Sequence, residues 1–595
     1  MKAGIVLTGL LLKIHRHLLL FLLPLAAAFA VYGNALSNGF IWDDATVLAK
    51  QLTAFKSIKD VFFPPVGIPE FNIHYYRPVI VLTLIADKYF WGDSAFGFHF
   101  SVILFHVLNT ALIFGLVRFI LKKYAYADIG AFVAALIFAV HPIHTESIAW
   151  MAGRSDVVAG TFFFSSLFLY LRFLQRQNGA SDINKGTGIL IYSAILFFFA
   201  AAAKETALSL IPLLPLIDIS FSDTTRLDDP SSLKGRLSGI HPSRYIPFLI
   251  AVSVYFLFRH LALSEQTANP LRFQTDANPL LCFINSYGFY FQKLLFPTDL
   301  NAYIPRVPCR TAYTVYSITF LFSCLGLGAW FYVKRHFLLF FALTFFMLTI
   351  LPSIMVAVLT ISETPLAERY LYIPSFSLAM FAGLTVQHIL IKTNFSTYRR
   401  LLVSILLVVG LGSIATVFSI QTVRRNTTWK SNVRFWEEIV SKLPGEGLPH
   451  LNLGLAYSST GNDQGAEDEF IKALNARYDD EGRSIALNNL GTLFLERGDY
   501  PRAEPFFLKS ISLRPDYPSP YYNIALIKGR FFAELYESGQ PADITLLASA
   551  LDYLNQAIRL NPQYAKARKL QNDIQLFLYT YNQPEKDAPG VKRLR

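Results

Sequence analysis

Cysteine and charged residues are scarce in this chain of 595 residues. Its three cysteines, Cys282, Cys309 and Cys324, are too few and too oddly numbered for a disulfide framework. Only 16% of the residues are charged, whereas 53% are hydrophobic and 53 residues are phenylalanine. So little charge, combined with long apolar runs, excludes an ordinary soluble globular protein. The composition predicts a protein with many transmembrane helices.

Basic residues outnumber acidic ones, and the position of this excess along the chain indicates its role. The net charge is +12, yet residues 445–595 contain 17 lysines and arginines against 19 acids. The remaining residues carry 36 basic and 22 acidic side chains, so the excess belongs to the apolar part. There, basic loops fix the orientation of a membrane protein and meet anionic lipid. A nucleic-acid partner is therefore not expected.

The apolar part, residues 1–423, predicts about eleven membrane spans. Nine lie near residues 18–36, 98–117, 130–149, 157–174, 245–262, 313–333, 337–359, 371–391 and 400–420, and two more lie within 188–221. The stretch 188–221 is interpreted as two short spans that meet at Lys204 and Glu205, with one long helix as the alternative. Two apolar stretches, Val79–Trp91 and Leu280–Phe296, are expected at the membrane interface, and the second is also compatible with a re-entrant helix or a span.

Basic turns set the expected orientation. Lys2, Lys13 and Arg16 precede the first span, which lacks an evident cleavage site, so the N-terminus is expected in the cytoplasm. Further basic clusters mark cytoplasmic turns: Arg118, Lys122 and Lys123; Arg172, Arg176 and Lys185; Arg226, Lys234, Arg236 and Arg244; Lys334 and Arg335; Lys392, Arg399 and Arg400. An odd number of spans then places the C-terminal part outside.

A repeat with a soluble composition begins at Leu448. The stretch Asn452–Tyr457 is echoed by Asn489–Phe494, and a small residue follows each glycine by twelve positions. This spacing is typical of tetratricopeptide repeats, which stack pairs of helices into a concave surface for peptides or proteins. We predict a linker over 424–447, an α-solenoid of about three repeats over 448–579, the third with an insertion, and a polar tail over 580–595.

The distinctive charged residues of the apolar part all map to its outer side. Adjacent Asp43 and Asp44 lie in the first external loop, where mutual repulsion suits a general base or a metal ligand. A helix cap or a solvated loop acid is the alternative. Four cations, Arg77, Arg154, Lys204 and Arg369, are candidates to bind a phosphate, and each is otherwise an interfacial anchor or ion-pair partner. The remaining candidates with supporting roles are His141, His144, Glu146, Asp156, Glu205, Glu368 and Tyr370.

A metal site is only weakly indicated. His141, His144 and Glu146 are ligand types at close spacing, but Pro142 interrupts a helical pairing and no fourth ligand is assignable. A kinked turn that hydrogen-bonds its neighbours is the alternative. No cofactor is assigned, and a divalent metal stays open. No glycine-rich nucleotide loop and no serine nucleophile elbow occurs in the sequence.

Six motifs, in order, resemble those of the transmembrane and tetratricopeptide-repeat O-mannosyltransferases and their prokaryotic relatives. They are Phe40-Ile41-Trp42-Asp43-Asp44, Tyr76-Arg77-Pro78, His141-Pro142-Ile143-His144-Thr145-Glu146, Gly153-Arg154-Ser155-Asp156, Lys204-Glu205-Thr206 and Ala367-Glu368-Arg369-Tyr370-Leu371-Tyr372. The resemblance covers nearly the whole chain. It implies an all-α membrane bundle of the GT-C class of glycosyltransferases, followed by the repeat solenoid.

The resemblance also implies an activity. Such an enzyme moves mannose or a similar sugar from a polyprenyl-phosphate donor in the lipid bilayer to a hydroxyl of a protein or peptide acceptor, which the repeats present. Asp43 and Asp44 match its catalytic acidic motif, and Arg154, Lys204 and Arg369 match positions suited to the donor phosphate. This chain has fewer repeats than the eukaryotic members. The outer side is the periplasm in a prokaryote, which the short loops favour, or the lumen of the endoplasmic reticulum in a eukaryote.

Two other functions compete with this interpretation. A membrane-anchored repeat scaffold for an envelope complex would use the repeats but would not need so many spans or charges at the membrane boundary. A transporter of lipid-linked sugar would need charges along the membrane midplane and inverted repeats, and neither is evident.

Overall fold

A computed structural model describes residues 2–44, 52, 55, 57–64, 75–178, 186–221, 240–264, 278–362, 364–392 and 397–581. Within these residues the regular secondary structure is helical, and β-pairing is limited to two isolated bridges. The chain divides into two compact units, Met1–Ser431 and Asn432–Arg595. The predicted polar tail, from residue 582 onward, lies outside the described residues. The same holds for several basic positions of the predicted turns or for their side chains: Lys2, Lys13, Lys185, Arg226, Lys234, Arg236, Arg399 and Arg400. The all-α architecture is as predicted.

The first unit is built from fifteen α-helices within its described residues. They are α1 (Lys2–Tyr32), α2 (Ile58–Phe62), α3 (Pro78–Trp91), α4 (Ala95–Leu121), α5 (Ala127–Val140), α6 (Thr145–Ala149), α7 (Arg154–Asn178), α8 (Thr187–Ala203), α9 (Leu210–Phe221), α10 (Ile246–Leu263), α11 (Pro279–Leu295), α12 (Thr311–Val333), α13 (Phe337–Val358), α14 (Ser375–Lys392) and α15 (Thr397–Asn426). Short 3₁₀ turns join several of them, including Glu205–Ser209 and Glu368–Leu371.

Eight of these helical segments are long and apolar enough to cross a membrane, counted over the described residues. They are His15–Ser37, Ala95–Leu121, Arg154–Gln177, Pro242–Leu263, Thr311–Val333, Phe337–Val358, Ser375–Lys392 and Leu401–Lys430. The pair Ala127–Val140 and Pro142–Ala149, bent by 47°, makes a ninth if it is one span. The protein is thus an integral membrane protein.

The predicted number of about eleven spans exceeds this count. The difference lies at the predicted pair of short spans, which the structure resolves into α8, of 17 residues, and α9, of 12 residues. Each is shorter than the roughly 20 apolar residues that cross a bilayer. The break between them falls at Lys204, whose backbone is extended, as the two-segment interpretation predicts. Helices α3 and α11, the predicted interfacial segments, do not qualify as spans either.

Aromatic and small residues pack the membrane unit. Its largest buried cluster includes Phe138, Phe163, Phe164 and Phe345, which are almost fully buried. Helices α5 and α14 cross closely at two glycines, because a Cβ on Gly383 would lie 2.4 Å from the carbonyl oxygen of Gly130. Small residues allow such backbone contact between membrane helices. This packing holds α4, α7 and α14 as a bundle whose ends carry the polar residues.

The second unit contains eight helices among its described residues. They are α16 (Asn432–Lys442), α17 (Gly447–Ser459), α18 (Asp463–Asn475), α19 (Asp480–Glu496), α20 (Tyr500–Leu513), α21 (Pro518–Glu537), α22 (Thr545–Leu560) and α23 (Ala565–Tyr581). Helix α16, of 11 residues, lies within the predicted linker over 424–447.

Helices α17 to α22 form successive antiparallel pairs, as the repeat spacing predicts. In the first pair, a Cβ on Gly454 would lie 2.5 Å from Cε1 of Phe470, so the phenylalanine ring occupies the space beside the glycine. In the second pair, a Cβ on Gly491 would lie 2.8 Å from Cε1 of Phe507. The glycine and the phenylalanine therefore interlock the two helices of each repeat.

Candidate active site

The first loop brings its two aspartates into different environments. Trp42 adopts a left-handed backbone conformation with φ of 54°, which turns the chain sharply just before Asp43. Asp44 is fully buried. Its Oδ2 accepts the backbone N–H of Ile41 at 3.1 Å, and its Oδ1 accepts that of Ala152 at 3.0 Å. Asp44 thus ties the first loop to the turn that precedes α7.

The surroundings of Asp44 change its acidity. Burial, together with the nearby charge of Asp43, raises its pKa to about 7, although the N–H donors of Ile41 and Ala152 oppose the shift. Both carboxylate oxygens are already occupied by backbone donors. Asp44 is therefore suited to positioning the loop rather than to meeting a substrate.

Asp43 is the aspartate that a substrate can reach. Its side chain is exposed to solvent in the first loop. Desolvation by the surrounding protein raises the pKa of the carboxyl group, and a backbone hydrogen bond and the charge of Arg369 partly reverse this shift. An accessible carboxylate beside a cation has the properties of a general base with a substrate hydroxyl within reach.

Three tryptophans line up beside these aspartates. Trp42 stacks on Trp150 with ring centroids 5.1 Å apart, and Trp150 stacks on Trp429 at 6.0 Å. Trp150 and Trp429 are buried, whereas Trp42 is partly exposed. The stack braces the strained turn at Trp42 and leaves one indole face beside Asp43.

Arg369 is held at the centre of the site by Glu146. The carboxylate of Glu146 accepts the backbone N–H of Arg369 at 3.0 Å, and its other oxygen contacts the Arg369 guanidinium. The guanidinium lies over the rings of Trp150 and Tyr370, at 5.3 and 5.1 Å from their centroids. Burial lowers the pKa of Arg369, but the charge of Glu146 and other nearby groups outweigh burial and raise the pKa above its usual value.

Lys204 approaches the other side of Tyr370. Its Nζ lies 4.8 Å from the Tyr370 ring centroid and donates to Oδ2 of Asp156 at 2.5 Å. Burial lowers the Lys204 pKa to about 8; Asp156 opposes this shift, and the positive charges of Arg77 and Arg369 add to it. The extended backbone between α8 and the following 3₁₀ turn places Lys204 here. These effects show that three of the predicted cations converge around Tyr370.

Arg77 and a second arginine share one carboxylate. Glu205 accepts hydrogen bonds from Nε and Nη2 of Arg77, at 3.2 and 3.0 Å, and from Nη1 of Arg259 at 3.2 Å. Burial would raise the Glu205 pKa, but the two arginines outweigh it and lower the pKa below its usual value. Arg77 also stacks on Tyr75, 4.4 Å from the ring centroid. Glu205 therefore orients both guanidinium groups.

Arg154, the fourth predicted phosphate ligand, is directed elsewhere. It is 1% exposed and donates from Nη1 to Oδ2 of Asp87 at 2.5 Å and from Nη2 to the carbonyl oxygen of Phe98 at 3.1 Å. Asp87 also accepts the hydroxyl of Ser101 at 2.6 Å. The contacts of Arg154 join α7 to α3 and α4.

The two histidines of the weak metal motif make hydrogen-bonding contacts with other groups of the protein. His141 accepts the backbone N–H of Ile143 at 3.2 Å and contacts the carbonyl oxygen of Leu294 at 3.0 Å. His144 contacts the hydroxyl of Ser375 at 2.8 Å. Over the described residues, no group of three histidine, cysteine or acidic side chains is arranged to hold a metal ion. The kinked turn, the alternative interpretation, matches these contacts.

Glu368 braces a neighbouring loop. Its Oε1 accepts the backbone N–H of Asn301 at 2.6 Å, and its Oε2 lies 3.9 Å from Nη2 of Arg425. Burial raises its pKa to about 7, Arg425 opposes this shift, and Glu146 adds to it. These contacts fix the turn that carries Arg369 and Tyr370.

Sequence reasoning missed two charged partners, Asp87 and Arg259. Both lie in apolar helices, α3 and α10, and an ionisable residue in such a helix is itself a functional signal. Spacing alone does not connect either residue to its partner in sequence, because Asp87 and Arg154 are 67 positions apart.

Comparison with known proteins adds independent information. A family model described as tetratricopeptide repeat matches residues 448–516. The chain is 24% identical to protein O-mannosyl-transferase Tmtc3 of Drosophila melanogaster over 94% of this chain and 66% of that protein. It is 26% identical to protein O-mannosyl-transferase TMTC1 of Homo sapiens over 78% of this chain and 56% of that protein.

A shorter match has a similar name. Protein O-mannosyl-transferase Tmtc1 of Drosophila melanogaster is 28% identical over 36% of this chain and 24% of that protein. The chain therefore spans less than two thirds of the length of these curated relatives. Along most of its own length, it is similar to the transmembrane and tetratricopeptide-repeat O-mannosyltransferases, and the resemblance inferred from its six motifs is confirmed.

Proposed function

We propose that the protein is a membrane glycosyltransferase for protein O-mannosylation, with a polyprenyl-phosphate-linked sugar as donor and a protein hydroxyl as acceptor. The observation that carries this proposal is one cluster of charged side chains with two complementary parts. An exposed carboxylate, Asp43, lies beside Arg369, and three cations converge around Tyr370. The names of the relatives support the sugar and the type of acceptor.

The cations suit a phosphate leaving group. Arg77, Lys204 and Arg369 each pair with a carboxylate, and Glu205 binds Arg259 as well. Four cations and three carboxylates make up these pairs, and Asp43 beside Arg369 is the fourth carboxylate of the site. The cations complement a phosphate-linked donor and stabilise the negative charge that develops on the phosphate as it leaves. The flanking carboxylates hold the cations in place before the donor arrives.

Asp43 suits the acceptor. An alcohol is a weak nucleophile, and a positioned carboxylate activates it by taking its proton as the new bond forms. The acceptor oxygen attacks the anomeric carbon, the bond from that carbon to the phosphate oxygen breaks, and the phosphate leaves with the electron pair. The hydroxyl proton passes to a carboxylate oxygen of Asp43. Asp44 acts through the loop, since its own oxygens hold the backbone of Ile41 and Ala152.

The outer face of the membrane is the proposed side of this reaction. The basic turns at Lys122–Lys123, Lys334–Arg335 and Lys392 join the helix ends away from Asp43, and such turns are typical of the cytoplasmic side. The N-terminus is then cytoplasmic, and the repeats follow the last span on the outer side, the periplasm or the lumen of the endoplasmic reticulum. The concave surface of tetratricopeptide repeats suits a polypeptide acceptor.

The donor class is the part of this proposal that an assay tests first. Membranes with the full chain are supplied with radiolabelled mannose on a polyprenyl phosphate or on a nucleotide, in the presence of acceptor protein. We expect transfer from the lipid-linked donor only. Arg369→Gln is expected to reduce it strongly, whereas Arg497→Gln, in the repeats, leaves the donor step unchanged. Transfer from the nucleotide donor alone, or from neither donor, would contradict the proposal.

A further inference from the structure

A second polar feature lies at the opposite end of the membrane helices. A cavity of 750 Å³ is lined by the last turns of α4, α7, α9, α12 and α14 and by the first turn of α13. The candidate active site lies at the other ends of α4, α7 and α14. Along α7, Leu174 in the cavity lining is 20 positions from Arg154 at the start of the helix, which is roughly 30 Å at about 1.5 Å per residue.

The cavity gathers basic residues that sequence analysis assigned to separate turns. Lys122, Lys123, Arg335 and Lys392 line it, together with two histidines, and none of the described residues in its lining is acidic. Among the residues that the structure describes, none of these four cations forms an ion pair with a carboxylate. Burial, followed by the charges of Lys123 and Arg172, lowers the pKa of Lys122 below its usual value. This concentration of positive charge attracts an anion.

The walls between these cations are apolar. Leu171, Leu174, Phe221 and Trp330 line the cavity, and the indole of Trp330 is half exposed. Ser220 also lines it, and its buried hydroxyl has no hydrogen-bond partner among the described residues. A volume of 750 Å³ lies within the roughly 300–1,000 Å³ typical of small-molecule sites. The cavity is therefore amphipathic, with cations at its rim and apolar side chains beneath.

Arg335 stands at a strained position in this rim. Its φ is 59°, in the left-handed region that glycine adopts at little cost and other residues rarely adopt. Glycine would adopt this conformation in the turn between α12 and α13 with less strain, so the arginine lowers the stability of the folded protein. Strained residues of this kind are concentrated at ligand sites.

We infer that this cavity binds an anionic phospholipid of the adjacent leaflet. The headgroup phosphate lies among Lys122, Arg335 and Lys392, and the acyl chains lie along the apolar wall beside Trp330. A membrane surface supplies this ligand at high local concentration, and basic groups near an anionic leaflet bind it by about 1 kcal/mol, or about fivefold, each. The cavity is a site distinct from the proposed donor site.

Quenching of Trp330 by brominated lipids tests this inference. The full chain is reconstituted in phosphatidylcholine with increasing fractions of brominated phosphatidylglycerol or brominated phosphatidylcholine. The emission lost in Trp330→Phe defines the Trp330 signal. We expect half-maximal quenching at a fraction of brominated phosphatidylglycerol at least about fivefold lower than that of brominated phosphatidylcholine.

Two neighbouring cations provide the matched controls. Arg335→Gln is expected to reduce the preference about fivefold, whereas Lys334→Gln, one position earlier and outside the cavity lining, leaves it unchanged. Arg335→Gly suits the left-handed backbone and is expected to reduce the preference by the same factor, about fivefold, without loss of folding. Equal quenching by the two lipids, or equal effects of the two glutamine variants, would overturn the inference. Displacement of the lipid by millimolar inorganic phosphate would overturn its assignment to a lipid.

Discussion

Replacing Asp87 with asparagine removes one charge from a buried ion pair. The Asp87 and Arg154 side chains are 8% and 1% exposed, and their closest atoms are 2.5 Å apart. The variant leaves the Arg154 guanidinium buried without a counter-charge. Breaking a buried pair in this way costs about 3–5 kcal/mol. Because asparagine still offers an oxygen to Arg154 and Ser101, we expect a cost near the lower end, about 3 kcal/mol.

A double replacement separates structure from ligand binding. Asp87→Leu with Arg154→Met leaves no buried charge, and such exchanges are often neutral or stabilising. We therefore expect the double variant to recover most of the lost stability. Since the contacts of Arg154 are with Asp87 and Phe98, we also expect the double variant to retain sugar transfer.

Buried cysteines report on unfolding of the membrane unit. Cys282 and Cys324 are buried and Cys309 is exposed, so the measurement is made in a Cys309→Ser background. Maleimide labelling of the buried thiols during heating then follows this unit alone. Unchanged stability in Asp87→Asn would refute the reasoning. A stable double variant that no longer binds the lipid-linked donor would show that Arg154 is a phosphate ligand after all.

Three further predictions use the same preparations. The Asp44 carboxyl has a pKa of about 3.9 in the unfolded chain and about 7 in the folded protein, so the folded protein holds the proton more tightly. The stability of the wild type relative to Asp44→Asn is therefore expected to fall as the pH rises from about 3.9 towards about 7, as thiol labelling would show. A relative stability that rises over this range would contradict the burial of Asp44. Gly454→Ala is expected to destabilise the repeats by about 1–3 kcal/mol, because the new methyl group would clash with the Phe470 ring. Gly529→Ala has open space around its Cβ and is expected to stabilise them. Limited proteolysis measures both effects. Arg369→Lys keeps the charge but loses the paired contact with Glu146, so KM for the donor is expected to rise about tenfold, and an unchanged KM would argue against a donor role.

The helices follow from local patterns in the sequence. Apolar runs bounded by basic turns predict the long spans, and the spacing of Gly454 and Phe470 predicts a repeat, because both patterns depend on neighbours within a few turns. The predicted number of spans exceeds the eight or nine that qualify among the described residues, and the difference falls where a charge, Lys204, interrupts an apolar run. Hydropathy alone does not show whether the halves on either side are long enough to cross.

Partner choice within the site could not be predicted from the sequence. The sequence places Arg77, Arg154, Lys204 and Arg369 on one side of the membrane, but the folded chain decides which carboxylate each one meets. Arg154 forms its ion pair with Asp87, which lies outside the Gly153–Asp156 motif that contains Arg154. The two aspartates also looked equivalent, and only the backbone donors of Ile41 and Ala152 distinguish the buried Asp44 from the exposed Asp43.

The central claim is that Asp43 takes the proton of the acceptor hydroxyl. Its most direct test is the rate of sugar transfer by Asp43→Asn, measured together with the affinity of the same protein for the lipid-linked donor. General-base catalysis contributes about 10²–10⁴-fold, so we expect transfer to slow by at least about 100-fold with donor affinity nearly unchanged. Asp93→Asn, an exposed aspartate that pairs only with Lys88 among the described residues, serves as the matched control and retains full activity. Transfer by Asp43→Asn at the wild-type rate would contradict the account.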